Sequence, residues 1–306
     1  MVPSNGEDAV NENIECCFIC GGTQFNNHTT HYRRCLCCHH EVLISTNEQG
    51  FIINDNLLEK EVRSVNALDR FKARMLSSFD GRIEKNLLLD IGSASGKFLL
   101  HNANRYKRAI GIEITPESVL FSRQVLSLNI EEDIQDVPDK ISAATAWHSL
   151  EHIPEQNLIA LLDGLSNKMV SGGRLVVSVP NAASWQHRWF GTSYAYFDVP
   201  NHLHQFTPDS LERLMQRFGF QHVATTNSWP YNTFGYMQSL LNLLTNTHNY
   251  LYYRLKRRSC KPSLPLDIVN GLLLGVCVPV GWMLGVADTV DFKHQGVITA
   301  CFEKKT

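Results

Sequence analysis

The chain has 306 residues, 43% hydrophobic and 19% charged, with no low-complexity tract, the make-up of an ordered globular protein of about two domains. Its 28 basic and 30 acidic side chains leave a formal charge of -2, so no global positive field gathers nucleic acid and partners must be recognised locally. The start, Met1 to Asp8, has neither a basic nor an apolar region of the secretory kind, which makes a cytoplasmic, reducing setting the expectation.

Residues 1–13 are polar and aperiodic and read as a disordered leader. Six of the nine cysteines then crowd together: Cys16, Cys17, Cys20, Cys35, Cys37 and Cys38. Cys17–Cys20 and Cys35–Cys38 are C-x2-C knuckles separated by 14 residues, a spacing that closes four thiolates around a structural zinc. Cys16, Cys37, His39 and His40 leave the choice of ligands open. Residues 14–45 thus read as a zinc-ribbon-like module with its own core, in which metal binding supplies folding free energy on the order of 10 kcal/mol. Residues 46–83 read as a linker helix, with apolar spacing at Leu58, Val62, Val65, Leu68 and Met75.

From Leu87 onward, strand-like and helix-like stretches alternate. Leu87 to Ile91, Ala109 to Ile114, Ala143 to Trp147 and Arg174 to Val179 are apolar runs. Between them lie helical patterns at Gly96 to Tyr106, Pro116 to Leu126 and Glu155 to Met169. Such alternation predicts an α/β fold with a parallel sheet. Thr207, Pro208 and Gly219 mark the cap, first turn and stop of a further helix, followed by a strand at Gln221 to Thr226. The polar segment Leu128 to Ala143 yields no placed strand. The rhythm breaks between Trp229 and Gln295 and resumes at Val297 to Phe302.

The run Leu87-Leu-Leu-Asp-Ile-Gly-Ser-Ala-Ser-Gly96 places an apolar strand before Asp90, then a small-residue turn, then a helix. A dinucleotide fingerprint starting at Gly92 would need glycine at 94 and 97, where Ala94 and Lys97 stand, so NAD is disfavoured. The turn resembles motif I of the class I S-adenosylmethionine-dependent methyltransferases, with Ala94 replacing its middle glycine. Ala143 to Pro154 is similar to that family's fourth-strand motif, which includes Leu150-Glu151-His152, and Gly172-Gly173-Arg174 to its fifth-strand motif. Ala143 departs from the aspartate many members carry.

The resemblance covers residues 84–228 plus 296–306 and implies a Rossmann-like methyltransferase sheet. It implies S-adenosylmethionine over Asp90, Gly92, Ser93, Ala94 and Gly96, with its ribose on Glu113, and Trp147 and His148 beside it. A carboxylate suits a ribose diol because it offers paired acceptors and no donor. Phe197-Asp-Val-Pro-Asn-His-Leu-His204 resembles a substrate-side run, which makes His202 and His152 the candidates for a catalytic base or for orienting the acceptor. A cysteine module before such a core resembles a bacterial subgroup acting on surface saccharides. The expected reaction is O-methylation of a small-molecule saccharide or lipid-linked acceptor. O-methylation in quinone or prenylated aromatic biosynthesis and a non-catalytic cofactor-binding scaffold are the alternatives.

Residues 229–295 form an insertion before the last strand. Ile268 to Ala287 carries no charge over 20 residues, enough to span a bilayer. The next strand must rejoin the same sheet, which a single crossing forbids. A helical hairpin lying in the membrane interface is expected, with Tyr250, Tyr252, Tyr253, Lys256, Arg257, Arg258 and Lys261 as its aromatic and basic belt. A buried dimer or core helix is the alternative.

Overall fold

The computed structural model describes residues 15–44, 59–79, 83–256 and 262–305. The leader at 1–13, together with Leu58, Arg257, Arg258 and Lys261, lies outside the described residues. Three short strands, β1 (Phe25–Asn27), β2 (Tyr32–Cys35) and β3 (Glu41–Leu43), make an antiparallel meander that carries the cysteine knuckles. In place of one linker helix the chain forms α1 (Glu59–Arg63) and α2 (Ala67–Phe79). Asn66 and Asp69 exchange hydrogen bonds of 2.8 and 2.9 Å between side chain and backbone, a reciprocal cap that starts the second helix after the break. This helix lies on the sheet, its Leu76 fully buried among Leu88, Phe98, Trp147 and Cys301.

The alternation continues through β4 (Leu87–Ile91), α3 (Lys97–Asn102), β5 (Arg108–Ile112), α4 (Pro116–Gln124), β6 (Ile130–Glu131), β7 (Ile141–Trp147), α5 (Glu155–Lys168) and β8 (Met169–Pro180). After these come α6 (Trp185–Phe190), β9 (His204–Gln205), α7 (Pro208–Arg217), β10 (Phe220–Thr226), α8 (Trp229–Thr245), α9 (Tyr250–Leu255), α10 (Leu264–Ala287) and β11 (Val297–Lys304). The seven-stranded sheet runs β10-β11-β8-β7-β4-β5-β6. Strands β4 and β7 are buried along their whole length, as uninterrupted apolar runs in a parallel sheet covered on both faces must be. The polar segment before β7 does hold a strand, but β6 is only Ile130 and Glu131, paired with Gly111 and Ile112. At α7 the expected cap is present: the Thr207 hydroxyl accepts the Ser210 N–H at 3.1 Å, and Pro208 opens the first turn.

The ribbon shares its core with the sheet. Strand β3 pairs with β9, matching Glu41 to Gln205 and Val42 to His204. Cys17, Ile19, Cys35 and Cys38 fall in one apolar cluster with Leu89, Ile91, Leu214 and Phe302. The expectation of separate cores therefore fails, because so small a meander has too few apolar side chains to close on its own. Glu41 adds a polar tie, fully buried with Arg34 Nε at 2.8 Å and His28 Nδ1 at 3.0 Å.

Strand β11 is antiparallel between β8 and β10, so the chain after β10 must leave and return at one sheet edge. It does so as a helical insertion, with α10 packed antiparallel on α8. A Cβ added at Gly281 would lie 2.8 Å from the Met237 backbone nitrogen, and one at Gly285 2.6 Å from that of Thr233. Small residues four apart are what permits so close a helix pair. Pro279 lies inside α10 without ending it.

Gly285→Val should therefore lower the thermal midpoint by several degrees through overpacking of about 1–3 kcal/mol. Gly271→Ala, where an added Cβ meets nothing within 4 Å, should not. Equal midpoints for the two variants in a thermal melt would refute the close packing.

Candidate active site

The carboxyl ends of β4, β5 and β7 converge at the Asp90 to Gly96 turn. Gly92 and Gly96 take φ of +69° and +72°, and a Cβ on Gly92 would sit 2.5 Å from Ser149 Cβ. Both positions therefore require glycine. Ala94 adopts φ +48° where the motif has its middle glycine, so the backbone path survives the substitution at a cost of roughly 1 kcal/mol. The N–H groups of Gly92 and Ser93 both donate to Ile112 O at 2.9 Å, fastening the turn to β5. Asp90 is buried beneath it and accepts the Thr145 hydroxyl at 2.6 Å. Burial pushes the Asp90 carboxyl up to about 7 against the opposing effect of that hydrogen bond.

Glu113 closes the other side. One carboxylate oxygen accepts the Ala94 N–H at 2.7 Å, and the other accepts those of Ile114 and Thr115 at 2.9 and 2.8 Å. A carboxylate offers about four acceptor directions, so three are already engaged. Around the turn, Ser93 Oγ, Trp147 Nε1, His148 Nε2 and Ser149 Oγ are buried with no hydrogen-bond partner among the described residues. Such a ring of unmet polar atoms fits a polar ligand rather than an apolar one.

Beyond Trp147 the surroundings become aromatic. His148, at φ +52°, has its ring 4.5 Å from that of Tyr231 and 5.8 Å from that of Tyr196. The short 3-10 turn Leu150–His152 then presents Glu151 and His152 to the loop that carries His202, with the two imidazoles 4.6 Å apart. Burial, then the neighbouring His152, lowers His202 to about 4. Burial alone would raise Glu151, but the imidazoles of His148, His152 and His202 outweigh it and hold the carboxyl at about 2.

Asp90, Gly92, Ser93, Ala94, Gly96, Glu113, Trp147 and His148 thus share one end of the sheet, with His152 and His202 facing each other beyond them. Glu151 lies within the recognised fourth-strand run, yet its complete burial has no sequence signature. The insertion also reaches this region: the Tyr253 hydroxyl donates to Asp198, and that of Tyr196 donates to Tyr231 O at 2.9 Å. A cleft of about 180 Å³ between α2 and α8, lined by Arg70, Phe71, Arg74 and Trp229, opens beside these rings, Phe71 lying 5.9 Å from Tyr231. A larger cleft of about 360 Å³ lies elsewhere, beside Cys20 and Arg213, and holds none of these groups.

The four predicted zinc ligands gather at the ribbon. Their sulfurs lie within 4.8 Å of one another, with Cys17–Cys38 and Cys20–Cys35 both at 3.6 Å. A tetrahedral zinc with bonds of about 2.3 Å has sulfur–sulfur edges of about 3.8 Å, which these distances fit. Cys16 and Cys37 are exposed and outside the set.

The sheet order, the glycine turn and the acid at the end of β5 together define the class I methyltransferase architecture. The methyltransferase domain family matches residues 60–225, more than half of the chain, and the chain belongs to it. It is an S-adenosylmethionine-dependent methyltransferase of class I. Among solved structures, a protein described as a sarcosine dimethylglycine methyltransferase from Galdieria sulphuraria is similar at 10% identity and TM-score 0.51, over 78% of this chain and 85% of that one. The cyclopropane synthase MmaA2 from Mycobacterium tuberculosis is similar at 10% identity and TM-score 0.51, over 79% and 87%. At these identities the likeness is one of fold. No curated protein matches the sequence.

Asp90 keeps its proton to higher pH when folded than when unfolded. Its contribution to stability is complete below the unfolded value of about 4 and is lost as pH rises through about 7. Between pH 5 and 8 the cofactor-free chain should lose about 2 kcal/mol more than Asp90→Asn loses. Chemical denaturation at both pH values measures this, and parallel profiles would show that burial does not control the group.

Proposed function

We propose that the chain transfers the methyl group of S-adenosylmethionine to an oxygen of a small saccharide or lipid-linked acceptor. Asp90, Gly92, Ser93, Ala94, Gly96 and Glu113 would hold the cofactor, with Trp147 and His148 as the wall towards the acceptor. When bound, the cofactor supplies a methyl group already activated by its sulfonium, so the protein has chiefly to orient the acceptor and exclude water.

The observation that carries the oxygen assignment is the state of the two histidines. His152 Nδ1 lies 2.8 Å from Asn201 O and His202 Nδ1 2.9 Å from Tyr196 O. A carbonyl only accepts, so each Nδ1 carries a hydrogen, and in the neutral ring it is Nε2 that offers the lone pair. Such lone pairs can take or orient the proton of an acceptor hydroxyl. His202 is the better placed to do so, while His152 stands nearer β7. The ring wall of Phe71, Tyr196 and Tyr231 favours a prenylated aromatic acceptor as the second reading.

The helical insertion supports peripheral contact with an anionic membrane. Helix α10 is long and apolar enough to cross a bilayer, yet only 22% of its most apolar window is buried. Leu272, Val276, Trp282 and Met283 are exposed along it, while Arg254 and Lys256 precede it. Both ends return to one sheet edge, so the helix lies in the interface rather than crossing. Zinc held by Cys17, Cys20, Cys35 and Cys38 would leave no open coordination position and act structurally.

Glu113→Ala removes an acceptor that clamps the turn and would receive the ribose. It should weaken S-adenosylmethionine binding by at least 10-fold in calorimetry, through loss of the turn's clamp and of the charge-assisted hydrogen bond that the remaining acceptor direction would take, which contributes about 1.5–3 kcal/mol before water compensates. Unchanged affinity would overturn the assignment. Elemental analysis should find about one zinc per chain more in the wild type than in Cys17→Ser/Cys20→Ser. Because the ribbon shares the sheet's core, that variant should melt at lower temperature as a whole, and a wild-type chain free of zinc would sink the reading.

A further inference from the structure

The geometry points to a second metal site, for a divalent transition-metal ion, formed by Glu151, His152 and His202 at the acceptor end of the active site. The inference rests on the methyl-transfer reading only for what it says about the acceptor; the ion site itself stands on the following contacts.

One ligand atom from each of the three residues lies within 4.8 Å of the others. Their arrangement is fixed by main-chain bonds. Asn201 O and Tyr196 O hold the two Nδ1–H groups, and the Leu203 N–H donates to Glu151 O at 2.8 Å, tying the loop to the turn. Metal-bound histidines are oriented in this way, the distal ring nitrogen donating to a carbonyl so that the other offers its lone pair.

Glu151 is the decisive group. It is completely buried, and among the described residues neither carboxylate oxygen has a hydrogen-bond donor. Its facing groups are imidazoles: His148 Nδ1 stands 3.4 Å away, with His152 and His202 beyond it. A buried carboxylate faced only by imidazoles, with no donor aligned on it, is costly unless a cation joins it.

A second cluster in the same molecule shows the contrast. His28, Glu41 and His187 also bring three ligand atoms together, but there the Arg34 guanidinium sits on Glu41 Oε1 at 2.5 Å. That carboxylate already has an arginine on it; Glu151 has only imidazoles beside it. Two imidazoles and one carboxylate select manganese, iron, cobalt or zinc over calcium or magnesium and leave coordination positions open. With the ion bound, the Nε2 lone pairs of His152 and His202 serve as its ligands in place of acting as a base, and an acceptor oxygen seated on an open position would be polarised, its O–H proton passing to water while the electron pair stays on oxygen. The class of acceptor this favours is one with a hydroxyl beside a second oxygen, able to chelate.

The test uses the full chain with manganese as probe, since this ion avoids thiolates and leaves the cysteine set alone. One manganese site per chain is expected in titrations followed by electron paramagnetic resonance, or an equivalent ion already present in elemental analysis. Glu151→Gln and His202→Ala should each weaken manganese binding at least 10-fold. Pulsed spectra of the wild-type chain should show coupling to imidazole nitrogen, a readout that does not depend on the folding of any variant. Wild-type spectra without nitrogen coupling, or total metal equal in wild type and both variants, would overturn the site. Calorimetry with S-adenosylmethionine on the same samples separates the two readings: a chain that binds the ion but not the cofactor refutes methyl transfer alone, and the converse refutes this site alone.

Discussion

The placement of one antiparallel strand governs the rest of the molecule. Because β11 lies between β8 and β10, the 70 or so residues that precede it must begin and finish at a single sheet edge. An αα-hairpin satisfies that demand with the least main chain left unpaired. Once α8 is anchored after β10, Tyr231 in its first turns falls over His148, and α9 brings Tyr253 to Asp198. The aromatic wall of the acceptor side is thus a by-product of strand order. So is the exposure of α10: with α8 covering one face, much of its remaining apolar surface is left open by the described residues.

The loop from Tyr194 to Thr207 is where the parts of the chain are joined. The insertion reaches it through Ser239, which accepts the Ala195 N–H at 2.9 Å, and through Asn249, which donates to Ala195 O at 2.8 Å. The ribbon reaches it through the Tyr32 hydroxyl, 2.7 Å from His202 O, and the Thr207 hydroxyl donates to Cys38 O at 3.1 Å. His202 is therefore positioned by ribbon, insertion and sheet together. Any displacement of one of them is felt at the imidazole through direct hydrogen bonds.

Legibility in the sequence followed the physics of each signal. Strands β4 and β7 are apolar throughout and announce themselves, whereas β6 is short and flanked by acids, so no pattern marks it. The glycine turn is readable because Gly92 and Gly96 must hold backbone angles that other residues resist, and because Asp90 and Glu113 stand at strand ends. Knuckle spacing identifies four cysteines, since ligand geometry dictates it. The pairing of β3 with β9 is invisible, being made by backbone atoms that every residue shares. The same holds for Glu151 and His202: their meeting depends on main-chain carbonyls at Asn201 and Tyr196, and burial of a carboxylate is decided by what folds over it.

That strand pairing also orders events during synthesis. The edge of β3 finds its partner in β9 only when residues some 160 positions further along have been made. At about 5–20 residues per second the ribbon waits roughly 10–30 s with an open strand edge and without its contacts to the later part of the chain. Metal captured by the cysteines in that interval would hold the meander in register until the loop with His204 and Gln205 arrives. With an ion bound there, the thiolate site would serve assembly in time as much as stability at equilibrium, and the rate of ion supply would set how many chains reach the finished fold.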